Sequence, residues 1–377
     1  MNEQTSAAGN AEGAQALNRL FADMRKVKAT DLHLKAGRPP MLRVQGDLRA
    51  LAQPPLDAES VQRMVYGILT PERIRVYESL GNIDFAHVAP DETRYRVNVF
   101  RQRGATSLAA RAVKTDIPGF AALNLPPMLS KIAEEEKGLV ILAGITGSGK
   151  STTLAAMIQQ INERRPCHIL CIEDPIEYLY ADKKACINQR EIGVDVESFH
   201  AALRNAVRED PDVILIGEMR DHETFETALQ SSETGHLVFG TVHASTAASA
   251  IGRILALFPV ERHHQIRQSL QFNLKAVVCQ KLLPGAKAAA GLVPAVEVMM
   301  ATPIVQKLIR EGRDEKLPDA VRAGRKDGMQ DFNQSLQDLV NRGLVTKATA
   351  LVASPNPGAL EMLFQGITSS EDERIIE

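Results

Sequence analysis

The feature that most constrains this chain is the segment Gly144-Ile-Thr-Gly-Ser-Gly-Lys-Ser151, which matches the pattern G-x-x-x-x-G-K-[ST]. An apolar run at residues 139–143 precedes it, and a helical pattern at residues 151–162 follows. This order predicts a buried strand, a phosphate-binding loop and a helix N-terminus that attracts anions. A glycine-rich turn that binds no nucleotide is the alternative, but a chance match is expected in only about one chain in a hundred of this length.

The loop pattern predicts how ATP and Mg²⁺ bind. We expect the Lys150 ammonium to reach the β- and γ-phosphates of ATP and the Ser151 hydroxyl to bind Mg²⁺. The rest of the predicted ATP-binding set comes from the loop and the first helical turn: Gly144, Thr146, Gly147, Ser148, Gly149 and Thr152.

Two further apolar runs end in carboxylates. The run at residues 212–218 ends in Glu218, as in a Walker B strand, where a carboxylate can orient or deprotonate the attacking water. Gly217 replaces the aspartate that usually binds Mg²⁺ there, so Ser151 and water, or another carboxylate, would hold the metal. Glu173, at the end of another apolar run, is the candidate for Mg²⁺ or its water. The alternative for Glu218 is a solvated strand end.

A fourth apolar run, at residues 237–241, has a histidine near either end, His236 and His243. A neutral imidazole close to the γ-phosphate can sense it through a hydrogen bond. An isolated histidine is more often a structural group, but the neighbouring motifs favour a role for both in the site.

Arginines cluster in the N-terminal part of the chain. Strand alternation over residues 93–98 puts Arg94 and Arg96 on one face, and Arg103 and Arg111 follow. A basic face outside the ATPase core suits arginine fingers that act across a subunit boundary. Spacing alone supports an ordinary solvated strand face equally well.

The length of 377 residues predicts two domains. Strands and helices mix in the first, giving an α+β pattern, whereas short apolar runs alternate with helices in the second, which is typical of a parallel sheet. The predicted order is a flexible N-terminus at 1–13, the α+β domain at 14–115, a linker at 116–126, the ATPase domain with C-terminal helices at 127–350, and a loosely held tail at 351–377.

Charge and composition exclude several classes of protein. The formal net charge of −2, with no basic stripe interleaved with aromatics, argues against a nucleic-acid partner. A signal-peptide pattern is lacking, and no apolar run reaches the roughly 18 residues of a membrane span. The sequence thus predicts a cytoplasmic protein that reaches a membrane only through partners. The four cysteines form no C-x-x-C pair, which argues against a structural zinc site.

These motifs occur in the order found in the secretion/type IV pilus ATPase superfamily, which the chain resembles over roughly residues 14–345. Thr30-Asp-Leu-His-Leu34 is similar to a segment of its PAS-like N-terminal domain. The resemblance implies that domain followed by a RecA-like P-loop ATPase domain with a mainly parallel sheet. It also implies a homohexamer in which each nucleotide lies between the two domains of one subunit. Arginines of the first domain would reach the phosphates, which favours Arg96 and Arg111 over Arg94 and Arg103.

Within the superfamily the chain is most similar to pilus retraction motors, which drive twitching motility. The four-cysteine zinc element typical of extension and secretion ATPases is missing, and Ile304-Val-Gln-Lys-Leu-Ile-Arg-Glu311 partly matches a retraction motif. Asn188-Gln-Arg-Glu-Ile-Gly-Val194 and Gly328-Met-Gln-Asp-Phe332 look more PilU-like than PilT-like. The resemblance implies an auxiliary motor at the inner-membrane base of the pilus machine. Its partners would be a PilT-type retraction ATPase and an inner-membrane platform protein. The alternatives are an extension or type II secretion ATPase, or a structural coupling ring with little hydrolysis.

Overall fold

A computed structural model describes residues 3–206, 208–287 and 291–367, with side chains from residue 9 onward. The chain divides into two compact units, one up to Lys114 and one from Thr115. None of the helices in the described ranges has the length and apolar character that crossing a bilayer requires.

The first unit packs three helices with a six-stranded sheet in which all neighbouring strands are antiparallel. The strand order is β3-β2-β1-β6-β5-β4. The elements are α1 (Glu3–Lys26), β1 (Asp31–Leu34), β2 (Met41–Val44), β3 (Asp47–Ala50), α2 (Ala58–Tyr66), α3 (Pro71–Leu80), β4 (Asn82–Val88), β5 (Arg94–Gln102) and β6 (Ala105–Ala112).

Helix α1 begins eleven residues earlier than the sequence predicted, so it covers most of the stretch expected to be flexible. Its C-terminal half buries Leu17, Leu20, Phe21 and Met24 at helical spacing, as expected. Near the middle of the helix, Gly13 lies so close to α2 that an added Cβ would be 2.3 Å from the carbonyl oxygen of Arg63. This close packing, which only glycine permits, holds the middle of α1 against α2.

The second unit is a seven-stranded sheet in the order β13-β12-β7-β11-β10-β8-β9, with helices on both faces. Every neighbouring pair is parallel except β12 and β13. The elements are α4 (Met128–Ile132), β7 (Gly138–Ala143), α5 (Lys150–Arg164), β8 (His168–Glu173), β9 (Cys186–Glu191), α6 (Phe199–Ala206), β10 (Val213–Ile216), α7 (His222–Glu233), β11 (Leu237–Val242), α8 (Ala247–Leu255), α9 (His263–Asn273), β12 (Leu274–Pro284), β13 (Leu292–Met300), α10 (Pro303–Glu311), α11 (Leu317–Ala323), α12 (Phe332–Asn341), α13 (Lys347–Ala353) and α14 (Pro357–Phe364).

The central strands explain why the sequence shows unbroken apolar runs. Every residue of β7, β10 and β11 is buried, because helices cover the sheet on both sides. The predicted mixed α/β fold with a mainly parallel sheet is confirmed. Three strands, β9, β12 and β13, were not predicted.

The segment after residue 350 differs from the expected loose tail as far as it is described. Leu360 of α14 is fully buried in the core of the second unit. The Gln337 side-chain amide donates to the carbonyl of Leu363 at 2.7 Å, and that of Asn333 donates to the carbonyl of Asn356 at 3.1 Å. Apolar burial and these bonds hold the segment, and the prediction is corrected through residue 367. Residues 368–377 lie outside the described ranges.

Candidate nucleotide site

The C-terminal ends of four adjacent parallel strands define the site. Strands β7, β11, β10 and β8 are consecutive in the sheet. The loop after β7, the end of β8, Glu218 after β10 and His243 after β11 therefore meet at one edge. This edge is where open α/β sheets place their ligands.

The phosphate-binding loop connects β7 to α5. Gly149, with φ of +88°, stands directly before the helix, a conformation that favours glycine. The Lys150 ammonium donates to the carbonyls of Gly144 at 2.7 Å and Ile145 at 3.1 Å. Burial lowers the pKa of Lys150, and the nearby carboxylates of Glu218 and Glu177 oppose that shift. The lysine is thus held at the loop with acidic groups close by.

A cavity of about 430 Å³ opens at this loop. Its volume lies in the range of small-molecule sites. The predicted residues that line it are Thr146, Gly147, Ser148, Gly149, Lys150, Ser151, Thr152, Glu173, Glu218 and His243. Gly144 begins the loop and lies very close to Ser148. An added Cβ on Gly144 would be 2.3 Å from the Ser148 hydroxyl.

An arginine and a histidine side chain contact the carboxylate of Glu218. Arg220 Nη2 donates to Glu218 Oε2 at 2.6 Å, and Arg220 Nε lies 2.6 Å from Oε1. His243 Nε2 lies 2.8 Å from the same Oε1. Burial opposes ionisation, but the hydrogen bond and charge of Arg220, with the contribution of His243, outweigh it. The pKa of Glu218 therefore lies below its ordinary value. This carboxylate is charged at neutral pH and can accept a proton or a hydrogen bond from water.

Glu173 lies at the end of β8, next to Gly217, and is buried. Its Oε1 accepts a hydrogen bond from the Gln189 amide at 2.9 Å. Burial, reinforced by Glu177 and Glu191, raises the pKa of Glu173 to about 7 despite that bond. A Cβ on Gly217 would lie 3.3 Å from the Glu173 Cα, so the backbone of β8 limits the room for an aspartate there.

The donor set at this edge fits Mg²⁺. Ser151 and Glu173 line the same cavity and offer a hydroxyl and a carboxyl oxygen, the ligand type that Mg²⁺ prefers. Within the described ranges no group of three acidic, histidine or cysteine side chains could hold a metal by itself. Nucleotide phosphates and water would therefore complete the coordination.

The prediction for His236 is wrong. His236 precedes β11, and its carbonyl accepts from the N–H of Gly138, at the start of β7. It therefore lies at the edge of the sheet opposite the loop, roughly 20 Å from His243 at about 3.3 Å per strand residue. Its Nδ1 lies 2.9 Å from the Ser231 carbonyl and 3.1 Å from the Thr234 hydroxyl. It has the structural role that is the usual one for an isolated histidine.

The predicted arginine fingers are neighbours in the first unit. Arg96 on β5 and Arg111 on β6 are directly opposite each other. The next strand places Asp31 opposite Arg111, and the Arg111 Nε donates to Asp31 Oδ1 at 2.7 Å. The Thr30 hydroxyl donates to the other oxygen of Asp31 at 2.7 Å. Asp31 is nearly buried, whereas the Arg111 side chain is 62% exposed. The Asp31 carboxylate therefore holds Arg111 at its Nε atom, while most of the arginine side chain stays exposed.

Several residues that contact the predicted site residues were not themselves predicted. Arg220, two residues after Glu218, carried a local signal, because a cation so close to an acid often pairs with it. Asp31 and Gln189 contact Arg111 and Glu173 because of the register between neighbouring strands, which the sequence alone does not predict. Gln280 lies on β12, a strand that was not predicted, and it contacts the loop from more than 130 residues away.

Comparison with known proteins is consistent with this geometry. The family described as type II/IV secretion system protein matches residues 7–349. The type IV pilus retraction ATPase PilT of Pseudomonas aeruginosa is 41% identical over 89% of this chain and 96% of its own length. PilU of the same organism, a type IV pilus ATPase, is 38% identical over 92% of this chain and 90% of its own.

A solved structure is also similar. The crystal structure of the pilus retraction motor PilT with bound ADP has a TM-score of 0.85 and 41% identity, covering 91% of this chain and 98% of that one. The family match spans most of the sequence, and the relatives are aligned over nearly their whole length. The chain belongs to the type II/IV secretion system protein family, and its similarity to pilus retraction ATPases extends over both units.

Proposed function

We propose that this chain is an ATP-hydrolysing motor that powers type IV pilus retraction. The observation that carries the proposal is the single cavity where Lys150, Ser151 and Glu218 meet. The relatives named as retraction ATPases, and the similar structure with bound ADP, support the same reaction and ligand.

In the proposed reaction each side chain acts on ATP or on the attacking water. Lys150 binds the β- and γ-phosphates and neutralises charge that develops as the terminal phosphoryl group leaves. Glu218 orients the water through its charged carboxylate. His243, 2.8 Å from Glu218, fixes that carboxylate and senses the γ-phosphate. Ser151 and Glu173 would hold Mg²⁺, which neutralises phosphate charge when bound.

The proposed active unit is a homohexamer. We assign Arg96 and Arg111 as arginine fingers, because Asp31 anchors Arg111 while leaving its guanidinium end exposed. The resemblance to the superfamily also supports a PAS-like fold for the first unit and a RecA-like fold for the second. The resemblance to pilus motors also supports a cytoplasmic location at the inner-membrane base. A platform protein would provide the membrane contact, and no nucleic acid would take part.

Whether the motor is principal or auxiliary is a finer question. The identities of 41% to PilT and 38% to PilU are too close to separate the two. We favour the auxiliary, PilU-like role, with a PilT-type ATPase as partner, on the segments at residues 188–194 and 328–332. The missing zinc cysteines argue against an extension or secretion ATPase, and the complete loop argues against a mainly structural ring.

The test is pilus retraction after deletion of the gene, with and without the PilT-type ATPase of the same cell. Loss of retraction force, restored by the wild-type gene, is the expected result. An auxiliary motor gives a partial loss when the PilT-type ATPase is present and adds no retraction when it is absent. Retraction unaffected by deletion in both backgrounds would contradict the proposal.

A further inference from the structure

A second cavity, of about 350 Å³, lies beside the nucleotide cavity. The two cavities share Glu218, Arg220 and His243 in their walls. The second adds Arg253, near the C-terminal end of α8, and is otherwise lined by the apolar side chains of Met219, Val242 and Leu257. A group released beside Glu218 therefore borders this second space directly.

The charges that face the second cavity favour an anion. Glu218 is the one carboxylate among the described residues that line it, and Arg220 neutralises this carboxylate through the two contacts of 2.6 Å. Arg253 is exposed and forms no ion pair with any residue in the described part of the chain. The positive charge of Arg253 is thus left over beside a space whose other walls are partly apolar.

Arg220 is suited to exchange partners. Its side chain is 74% exposed, whereas that of Glu218 is 21% exposed. The guanidinium can therefore move while the carboxylate stays in place. Guanidinium groups bind phosphate oxygens in pairs, with two parallel N–H donors, so Arg220 and Arg253 together match a small tetrahedral anion.

We propose that the second cavity binds the inorganic phosphate released by hydrolysis, held by Arg253 and by Arg220 after Arg220 leaves Glu218. The identity of the anion rests on the proposed ATPase function, because ATP hydrolysis generates phosphate beside Glu218. The site separates the product from ADP and gives it a way out that does not pass the bound nucleotide.

The test is equilibrium dialysis of the full chain against radiolabelled inorganic phosphate, with ADP and Mg²⁺ at saturating concentrations. Charge-assisted hydrogen bonds lead us to expect that Arg253→Ala weakens phosphate binding by about 10-fold or more. Affinity for a fluorescent ADP analogue should not change, which also reports an intact fold. Arg253→Lys keeps the charge but not the paired donors, so intermediate binding is expected.

Arg204→Ala is the matched control, because Arg204 is an exposed helical arginine of α6 and does not line the cavity. It should bind phosphate like the wild type. Wild-type binding by Arg253→Ala, an equal loss in Arg204→Ala, or no phosphate bound by the wild-type protein would each overturn the inference. The dialysis assay does not require ATP hydrolysis. If the wild-type protein had no ATPase activity, the proposed function would be refuted, and the phosphate-binding measurement would still decide the inference about the second cavity.

Discussion

The side-chain nitrogen of Gln280 donates a 2.8 Å hydrogen bond to the backbone oxygen of Ser148, in the middle of the phosphate-binding loop. The amide oxygen of Gln280 accepts from the Thr153 hydroxyl at 2.7 Å. Gln280 is only 3% exposed. One side chain of β12 therefore connects the loop to the first turn of α5 and fixes the direction of the loop N–H groups.

Replacing Gln280 by leucine should weaken nucleotide binding. Leucine has a similar size but no hydrogen-bonding group, so the Ser148 carbonyl and the Thr153 hydroxyl lose their partner. A buried polar group without a partner costs about 1–3 kcal/mol, which predicts an affinity for ADP that is lower by about 10-fold and a lower free energy of unfolding. Fluorescent ADP titration and urea unfolding measure the two effects.

The matched control for this variant is Gln330→Leu. Gln330 makes an equivalent side-chain bond, to the Val296 carbonyl at 2.7 Å, but does not line the nucleotide cavity. It should lose stability and keep ADP affinity. If Gln280→Leu lowers the free energy of unfolding but keeps its affinity for ADP, like this control, Gln280 has no role in orienting the loop.

The arginine pair of the first unit predicts an activity that depends on assembly. Arg111→Ala or Arg96→Ala should lower turnover by about 10³-fold, with a much smaller change in ATP affinity, as for transition-state arginines in related chemistry. Arg49→Ala removes an exposed strand arginine of the same unit and should have little effect. Specific activity should rise with protein concentration as rings form. Full activity in a dilute, verified monomer would refute this part of the account.

The buried acid Glu297 predicts a pH-dependent stability. Burial raises its pKa to about 7 even though its Oε1 accepts from the Ala247 N–H at 2.5 Å. The folded protein thus favours the protonated form. The resulting stability is complete below the unfolded pKa of about 4.5 and is lost as the pH rises through 7.

Glu297→Gln should remove that dependence, because glutamine keeps the acceptor oxygen and cannot ionise. Relative to the wild type, the variant should gain up to about 3 kcal/mol in free energy of unfolding at pH 8 and little at pH 4.5. Urea unfolding at both pH values measures the difference. An equal gain in free energy of unfolding at both pH values would show that Glu297 does not titrate between them.

Helix α10 predicts that motor coupling can be separated from chemistry. Val305, Leu308 and Ile309 are buried, whereas Lys307 and Arg310 are exposed. Replacing both cations by alanine should leave ATPase activity and ring assembly near wild type and reduce pilus retraction under load. Lys316→Ala combined with Arg325→Ala is the control for a general loss of surface charge. Unchanged retraction would make α10 a structural helix only.

The sequence predicted the features that local pattern determines. The loop, the buried strands and the position of Glu218 follow from short motifs. Strand β12 instead joins the sheet by pairing with β7, far earlier in the chain, and β13 joins it through β12. His236 shows the limit most clearly: it has the same motif context as His243, but a strand of six residues separates the two across the sheet. In α10, Gly312 ends the helix with φ of +71°, a conformation that favours glycine.

Contacts outside the helix hold α10 in place. Thr302 has the extended backbone of an N-cap, but its hydroxyl makes no capping bond. Ile304, in the first turn of the helix, is 43% exposed. The helix is held by the buried side of its stripe and by Arg267, which donates to the Ile309 carbonyl at 2.9 Å and pairs with Asp314.

The most direct test of the central claim is ATP hydrolysis by purified Glu218→Gln beside the wild type, at a concentration where rings form. Glutamine keeps the size of the side chain and removes the negative charge that orients water. We predict that ATP binding persists and that turnover falls by at least about 10²-fold. Hydrolysis by Glu218→Gln at the wild-type rate would contradict the account.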